Sequence, residues 1–302
     1  MGERAQTVLV TGASSGFGLA TARLLAGTGR HVFATMREPH GRNEAAATTL
    51  QQWADGEGAA LEVLELELAD PASIEGAVDN AIAIAGGLDV VVNNAGVGAV
   101  GYLEGFTAEK LAGLFEVNLI GVQRVNRAVL PHMREQGSGL LIHVSSNLGR
   151  FTVPFMGAYA ATKHALEALA EVYRYELRPL GIDSVIVEPG GYATEIFDKI
   201  IGPDDESRLA AYTELDPIRD GMFEHTGALV QASDGPDPRE VAQAVLDLVE
   251  TPAAERPLRT VVGSVVTEGV HELNEVAITL QKAHLASFGL APEFGSHRDG
   301  RS

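Results

Sequence analysis

Seven short apolar runs, set between longer stretches of helical periodicity, constrain this chain more than any other feature. They read TVLVT (7–11), HVFAT (31–35), LEVLEL (61–66), LDVVVN (88–93), GLLIHVS (139–145), DSVIVEP (183–189) and RTVVG (259–263). Strands that are apolar nearly throughout must be buried on both faces, which is the pattern of a parallel sheet with helices packed above and below it. The expected architecture is a doubly wound, three-layer α/β fold around a seven-stranded parallel sheet. With 302 residues, 45% of them hydrophobic, there is enough chain for one large core. A single domain over 1–302 is expected, embellished at 195–236 and by a helical extension at 264–302.

The first run breaks into GASSGFG and then into LATARLLAGTG, a strand, a glycine turn and a helix. Glycines there let backbone approach a phosphate, and the amides of the helix's first turn suit an anion. Gly12, Ser14, Ser15, Gly16, Phe17 and Gly18 are therefore candidate dinucleotide-binding residues. A glycine trio can also serve only a tight turn, but its place directly after the first strand favours a cofactor.

The end of the second run bears on which cofactor. An acidic residue there would hold the ribose hydroxyls of NAD, whereas this chain has Met36 and Arg37. A guanidinium can pair with a 2′-phosphate, so NADP(H) is favoured over NAD(H). Glu38 follows and offers Arg37 an alternative partner; a solvated surface charge is the other reading of Arg37.

In AYAATKHALEAL, Tyr159 and Lys163 stand four residues apart, which on a helix places phenol and ammonium on one face. A cation roughly 4 Å from a phenol contributes about 4 kcal/mol at an effective dielectric near 20. That would bring a group with a pKa of about 10 toward the range of proton transfer at neutral pH.

Composition excludes several functions. A net charge of −19, from 41 acidic and 22 basic residues, opposes binding to nucleic acid or anionic lipid surfaces. The absence of cysteine excludes thiol chemistry, and the nine histidines show no metal-ligand spacing, so no metal is expected. His132, His143 and His164 are read as ordinary helix or strand residues. No run approaches the length of a membrane span, and MGERAQ lacks a secretory core, so a cytoplasmic protein is expected.

Seven ordered motifs now stand together: TGASSGFG (11–18), Asp70 in ELADP, NNAG (93–96), Asn118 in EVNLIG, VSSNLG (144–149), YAATK (159–163) and EPGGYAT (188–194). From about residue 7 to 195 the chain resembles the short-chain dehydrogenase/reductase family, in its compact single-domain branch. FATMREP is similar to the same place in NADPH-preferring hydroxysteroid dehydrogenases and carbonyl reductases. The resemblance implies a Rossmann-like fold and hydride transfer between a nicotinamide cofactor and an alcohol or carbonyl.

Carried onto this chain, the resemblance makes Tyr159 the general acid for reduction and the base for oxidation. Lys163 lowers the tyrosine pKa and holds the nicotinamide ribose. The active serine of the family lies thirteen residues before the tyrosine, which selects Ser146 as donor to the substrate oxygen and leaves Ser145 as a strand-end hydroxyl bonded to backbone. Asn118 holds a water that links Lys163 to solvent. Asn94, Ala95 and Gly96 approach the adenine ribose. Asp70 either bonds the adenine amino group or caps the helix that Pro71 opens. Pro189, Gly190, Tyr192 and Thr194 surround the carboxamide.

Val153, Phe155 and Met156, with Tyr192 and Phe197, are the expected lining of a pocket for a bulky, mostly apolar alcohol, ketone or aldehyde. The stretch 195–236 is expected to close over it as helices. PDPREVAQAVLDLVE reads as a capped amphipathic helix, and EGVHELNEVAITLQKAHLASFGL as a helix that covers the pocket or meets another subunit. By resemblance, a homodimer or homotetramer forms through long helices at about 107–135 and 157–179. Two rival functions share the fold: a dehydratase or epimerase, and a non-catalytic cofactor sensor or scaffold. The short chain beyond 195 opposes the first, and the complete Asn118, Ser146, Tyr159, Lys163 set opposes the second.

Overall fold

Side chains on successive strand residues point to opposite faces of a sheet, and here both sets are apolar. The computed structural model describes residues 4–192, 200–232 and 236–290. Strands β1 (Thr7–Val10), β2 (His31–Met36), β3 (Leu61–Glu65), β4 (Val90–Asn93), β5 (Gly139–Val144), β6 (Ile182–Pro189) and β7 (Arg259–Val262) pair in parallel in the order β3-β2-β1-β4-β5-β6-β7. Each of the seven apolar runs supplies one strand. The reversal of order between β1 and β4 opens a crevice at the carboxyl ends of these strands, where ligands of such sheets bind.

One face of the sheet, with Val8, Val10, Val32, Val92, Ile142 and Val187, packs against α1 (Gly16–Gly27), α2 (Glu44–Glu57) and α9 (Arg239–Glu250). The other, with Leu9, Phe33, Val91 and Leu141, meets α3 (Pro71–Ala85) and α5 (Val122–Gln136) and the end of α6 (Gly157–Leu177). This is the doubly wound, Rossmann-like α/β fold that the alternation of runs predicts. A third apolar cluster, around Leu114, Leu148 and Tyr159, lies among α4 (Ala108–Phe115), the turn after β5 and the start of α6.

Beyond β6 the chain forms α7 (Glu206–Leu209), α8 (Asp216–Val230), α9, β7 and α10 (Val270–Ser287). The amphipathic helix expected after residue 236 is α9. It starts with the amide of Arg239 donating to Asp237 Oδ1 at 2.9 Å. Only Val230 is buried on α8, and only Val270 and Asn274 on α10. Among the described residues, no helix is long and apolar enough to cross a membrane.

Candidate active site

The crevice begins where β1 ends. Gly12 has φ +69°, a left-handed backbone that side chains resist, and a Cβ there would lie 2.8 Å from Ala95 Cα. A Cβ on Gly18 would overlap both the Gly12 carbonyl and the Asn94 carboxamide. The glycine turn, the start of α1 and the exit of β4 are thus in backbone contact. Ser15 precedes α1 in extended conformation, and the first turn of α1 holds no acidic side chain. Its amides and the positive end of its dipole therefore suit a pyrophosphate.

Asn94 fastens this cradle by donating through Nδ2 to the carbonyls of Thr11, at 2.8 Å, and Gly12, at 3.2 Å. Thr11 Oγ1 in turn accepts from the amides of Asn94 and Ala95, both at 3.0 Å. Sequence reasoning missed Thr11 as a site residue, although it is the first letter of TGASSGFG. Gly96 continues the turn toward the reacting groups: a Cβ there would sit 3.2 Å from Asn118 Oδ1 and 3.8 Å from Lys163 Nζ.

Asn118 lies in a π-helical turn, Glu116–Gly121, that joins α4 to α5. Such turns recur inside helices at functional sites. Its Oδ1 accepts from the Val97 amide at 2.9 Å, and its Nδ2 donates to the Val97 carbonyl at 2.9 Å and Thr162 Oγ1 at 3.0 Å. The carboxamide thus ties the cofactor turn to α6, the helix that carries Tyr159 and Lys163.

Tyr159 and Lys163 are both buried, one turn apart. Lys163 Nζ donates to the Val144 carbonyl at 2.9 Å and lies 5.7 Å from the centre of the Tyr159 ring. The acidification of Tyr159 read from the four-residue spacing is not present in this state. Burial pushes the phenol up to about 12, with the Ser146 hydroxyl acting in the opposite direction, because desolvation penalises the anion. Burial also pushes Lys163 down to about 8, opposed by the carboxylate of Glu167. His143 is neutral, lowered to about 3 by burial and then by Lys163.

The two serines at the end of β5 face different groups. Ser146 Oγ donates to Asn147 Oδ1 at 3.0 Å and accepts from the Leu148 amide at 3.2 Å. Asn147 Nδ2 donates to the carbonyl of Val266, a β-branched residue held at φ +52°. Ser145 does not make the backbone bond expected of its hydroxyl: Oγ is buried without a hydrogen-bond partner. Its amide is spent on the sheet, donating to the Val187 carbonyl at 2.8 Å, and its hydroxyl lies beside Gly149.

Other expected residues sort by what their side chains touch. Arg37 follows β2, its side chain 46% exposed, with Glu67 as a partner at 3.5 Å; Glu38 pairs instead with Arg42 at 3.3 Å. Asp70 Oδ1 accepts from the Ala72 amide at 3.0 Å and caps α3. The Gly190 and Gly191 amides donate to the carbonyls of Val262 and Val265 at 2.9 and 3.0 Å, so the turn after Pro189 is held by the β7 exit. Tyr192 belongs to the core cluster that α1 and α9 cover and not to the one around Tyr159. Its ring meets Phe17 edge-on at 5.2 Å and its hydroxyl donates to Glu240 Oε2 at 2.9 Å, which draws it into the core between α1 and α9. Thr194 and Phe197 lie outside the described residues.

Val153 and Met156 pack against the cluster that contains Tyr159 and Leu148. Phe155 turns the other way: at φ +66°, it accepts from the Gly101 amide at 2.7 Å and sets its ring edge-on to Tyr102 at 5.4 Å. Tyr102 stacks on Tyr212 at 4.7 Å and donates to Asp216 Oδ1 at 2.8 Å, which ties this loop to the segment before α8.

Comparison with known proteins agrees with this geometry. The short chain dehydrogenase family matches residues 6–204. A 3-ketodihydrosphingosine reductase of Bacteroides thetaiotaomicron is 31% identical over 86% of this chain and 89% of its own. A crystal structure of a short-chain dehydrogenase from Streptomyces avermitilis superposes with a TM-score of 0.73 at 32% identity, covering 95% of this chain and 97% of that one. The actinorhodin polyketide ketoreductase with NADPH superposes with a TM-score of 0.71 at 28% identity, covering 86% and 96%. With a glycine cradle at the β1–β4 crevice and Asn118, Ser146, Tyr159 and Lys163 gathered beside it, this chain belongs to the short-chain dehydrogenase family of hydride-transferring oxidoreductases.

Proposed function

We propose that the protein reduces a bulky, apolar ketone or aldehyde with NADPH, Tyr159 supplying the proton. The observation that carries this reading is the convergence at Gly96, where the cofactor turn comes within reach of Asn118 and Lys163. The bound nicotinamide supplies the hydride. Burial keeps Tyr159 protonated in the dry site, so the proton is present for transfer to the substrate oxygen. As the phenol gives up that proton, the buried ammonium of Lys163 stabilises the forming phenolate. Ser146 turns its hydroxyl from Asn147 to the substrate oxygen and stabilises the alkoxide charge that develops there. Asn118 holds the turn and the helix in register.

Preference for NADPH rests on Arg37, half-exposed at the end of β2 with a single long ion pair. A 2′-phosphate offers it a doubly charged, bidentate partner. Apolar substrate choice rests on Val153 and Met156 beside Tyr159, and the likeness to a ketodihydrosphingosine reductase supports a long-chain ketone. Association of two or four copies through the long helices is supported by Val172 and Ile120, half-exposed apolar residues on them. An NADPH-oxidation screen across aldehydes, cyclic ketones, steroids and long-chain keto compounds tests the reading. Turnover of none of them, by protein that binds NADPH, would favour a cofactor sensor instead.

A further inference from the structure

Lys163 has a buried acidic neighbourhood that the reaction above does not use. Glu167 follows it by one turn on α6, and Glu188 lies near the end of β6; they are 2% and 0% exposed. Between them stands Arg259 of β7, its side chain 3% exposed. Its Nε is 2.8 Å from Glu167 Oε2 and 3.5 Å from Glu188 Oε1, and its Nη2 is 2.6 Å from Glu171 Oε2. Tyr175 Oη donates to Glu171 Oε1 at 2.8 Å. From α10, Asn274 Nδ2 donates to Glu188 Oε2 at 2.6 Å while its Oδ1 accepts from Arg150 Nε at 2.8 Å. Arg150 Nε itself is 4.0 Å from Glu188 Oε1.

This arrangement leaves a deficit. Glu167 Oε1 and Glu188 Oε1 are both buried without a hydrogen-bond partner, and the two carboxyl groups flank the same Arg259 Nε, Glu167 through Oε2 at 2.8 Å and Glu188 through Oε1 at 3.5 Å. Buried polar atoms of native proteins are paired, and two adjacent buried carboxyls do not both ionise. One proton between the two groups gives each orphaned oxygen its partner and removes the repulsion. Burial, then the charge of Glu167, pushes Glu188 up to about 8, which keeps that proton on Glu188 at neutral pH. Glu167 then stands as one anion between two buried cations, Arg259 on one side and Lys163 one turn back.

We infer that Glu167 and Glu188 share a proton, and that the singly ionised pair holds Lys163 in its ammonium form, making both glutamates positioning residues. The inference rests on the role given to Lys163 above. Desolvation favours neutral Lys163, and Glu167 is the group that opposes it. A pair with both members protonated would lose that support. A doubly ionised pair would strain the core. The hydrogen bond from Asn274 and the guanidinium of Arg259, 3.5 Å away, keep Glu188 in place, so α10 and β7 both bear on the charge state of a residue in the crevice.

Infrared titration of the wild-type protein tests the pair without any activity. A buried protonated carboxyl band should disappear as the pH rises through about 8, and Glu188→Gln should lack it. No such band at pH 6 to 7 overturns the inference. NADPH affinity followed by fluorescence then tests the link to Lys163. Glu167→Gln should move the alkaline loss of affinity down by about one pH unit, a roughly fivefold weakening at pH 8, and Glu167→Asp should restore most of it. An unmoved limb in Glu167→Gln, beside a limb abolished in Lys163→Met, overturns the inference alone. Unmoved limbs in both overturn the reading of Lys163 as well.

Discussion

Lys163 lies one helical turn beyond Tyr159 with its ammonium 5.7 Å from the centre of the phenol ring, and donates to the Val144 carbonyl. The phenol beside it is a poor acid at rest, held up to about 12 by burial. The proton is therefore in place when substrate arrives, and removing it from the enzyme should stop reduction alone. Tyr159→Phe is expected to lower kcat by roughly 10²–10⁴-fold while NADPH still binds, measured by turnover and by nucleotide fluorescence. Full activity in this variant would assign the acid elsewhere.

Charge on Lys163 sets a pH limit. Its folded-state pKa is depressed from 10.5 to about 8, by burial first, so the ammonium is retained below about 8 and lost above it. A ribose held by that ammonium should bind less tightly as the pH rises past 8, by about tenfold per unit. Isothermal titration with NADPH from pH 6 to 10 checks this, and a flat profile would contradict it.

Ser146 and Ser145 should respond very differently to replacement. Ser146→Ala removes the hydroxyl beside Tyr159 and is expected to lower kcat by roughly 10²-fold or more. Ser145→Ala removes a hydroxyl that already lacks a partner, so its kcat should fall by less than about tenfold. Parallel steady-state kinetics rank the two.

Arg37→Asp should reverse coenzyme choice. A charge-assisted hydrogen bond is worth about 1.5–3 kcal/mol, so NADPH should weaken by roughly 10–100-fold, with NADH gaining from a carboxylate that accepts from its ribose hydroxyls. The ratio of kcat/KM for the two coenzymes is the readout; an unchanged ratio places the phosphate elsewhere.

Gly18→Ala tests the cradle. The added methyl would overlap the Gly12 carbonyl and the Asn94 amide, backbone and a tethered side chain that cannot retreat. Overpacking of this kind costs about 1–3 kcal/mol. Thermal unfolding should show a lower Tm, and NADPH binding should fall with it.

The sheet and the cradle were legible because their determinants are local. TVLVT followed by GASSGFG, or Asp70 before Pro71, carries its geometry within a few residues. The burial of Tyr192 was not legible because its partners, Phe17 and Glu240, are remote in the chain and nothing near EPGGYAT announces them. The acidity of Tyr159 was misjudged for a related reason. Spacing reveals a neighbouring cation, but desolvation depends on everything packed around the phenol. Glu167 and Glu188 lie on separate elements, and only the folded sheet brings them together around Arg259.

The bond from Asn147 to Val266 has a consequence for biosynthesis. The residue after Ser146 is anchored by a segment more than a hundred positions downstream, so a nascent chain emerging from the ribosome can wind most of its sheet before this corner is finished. The corner beside Ser146 therefore closes only after the stretch beyond β7 has been made.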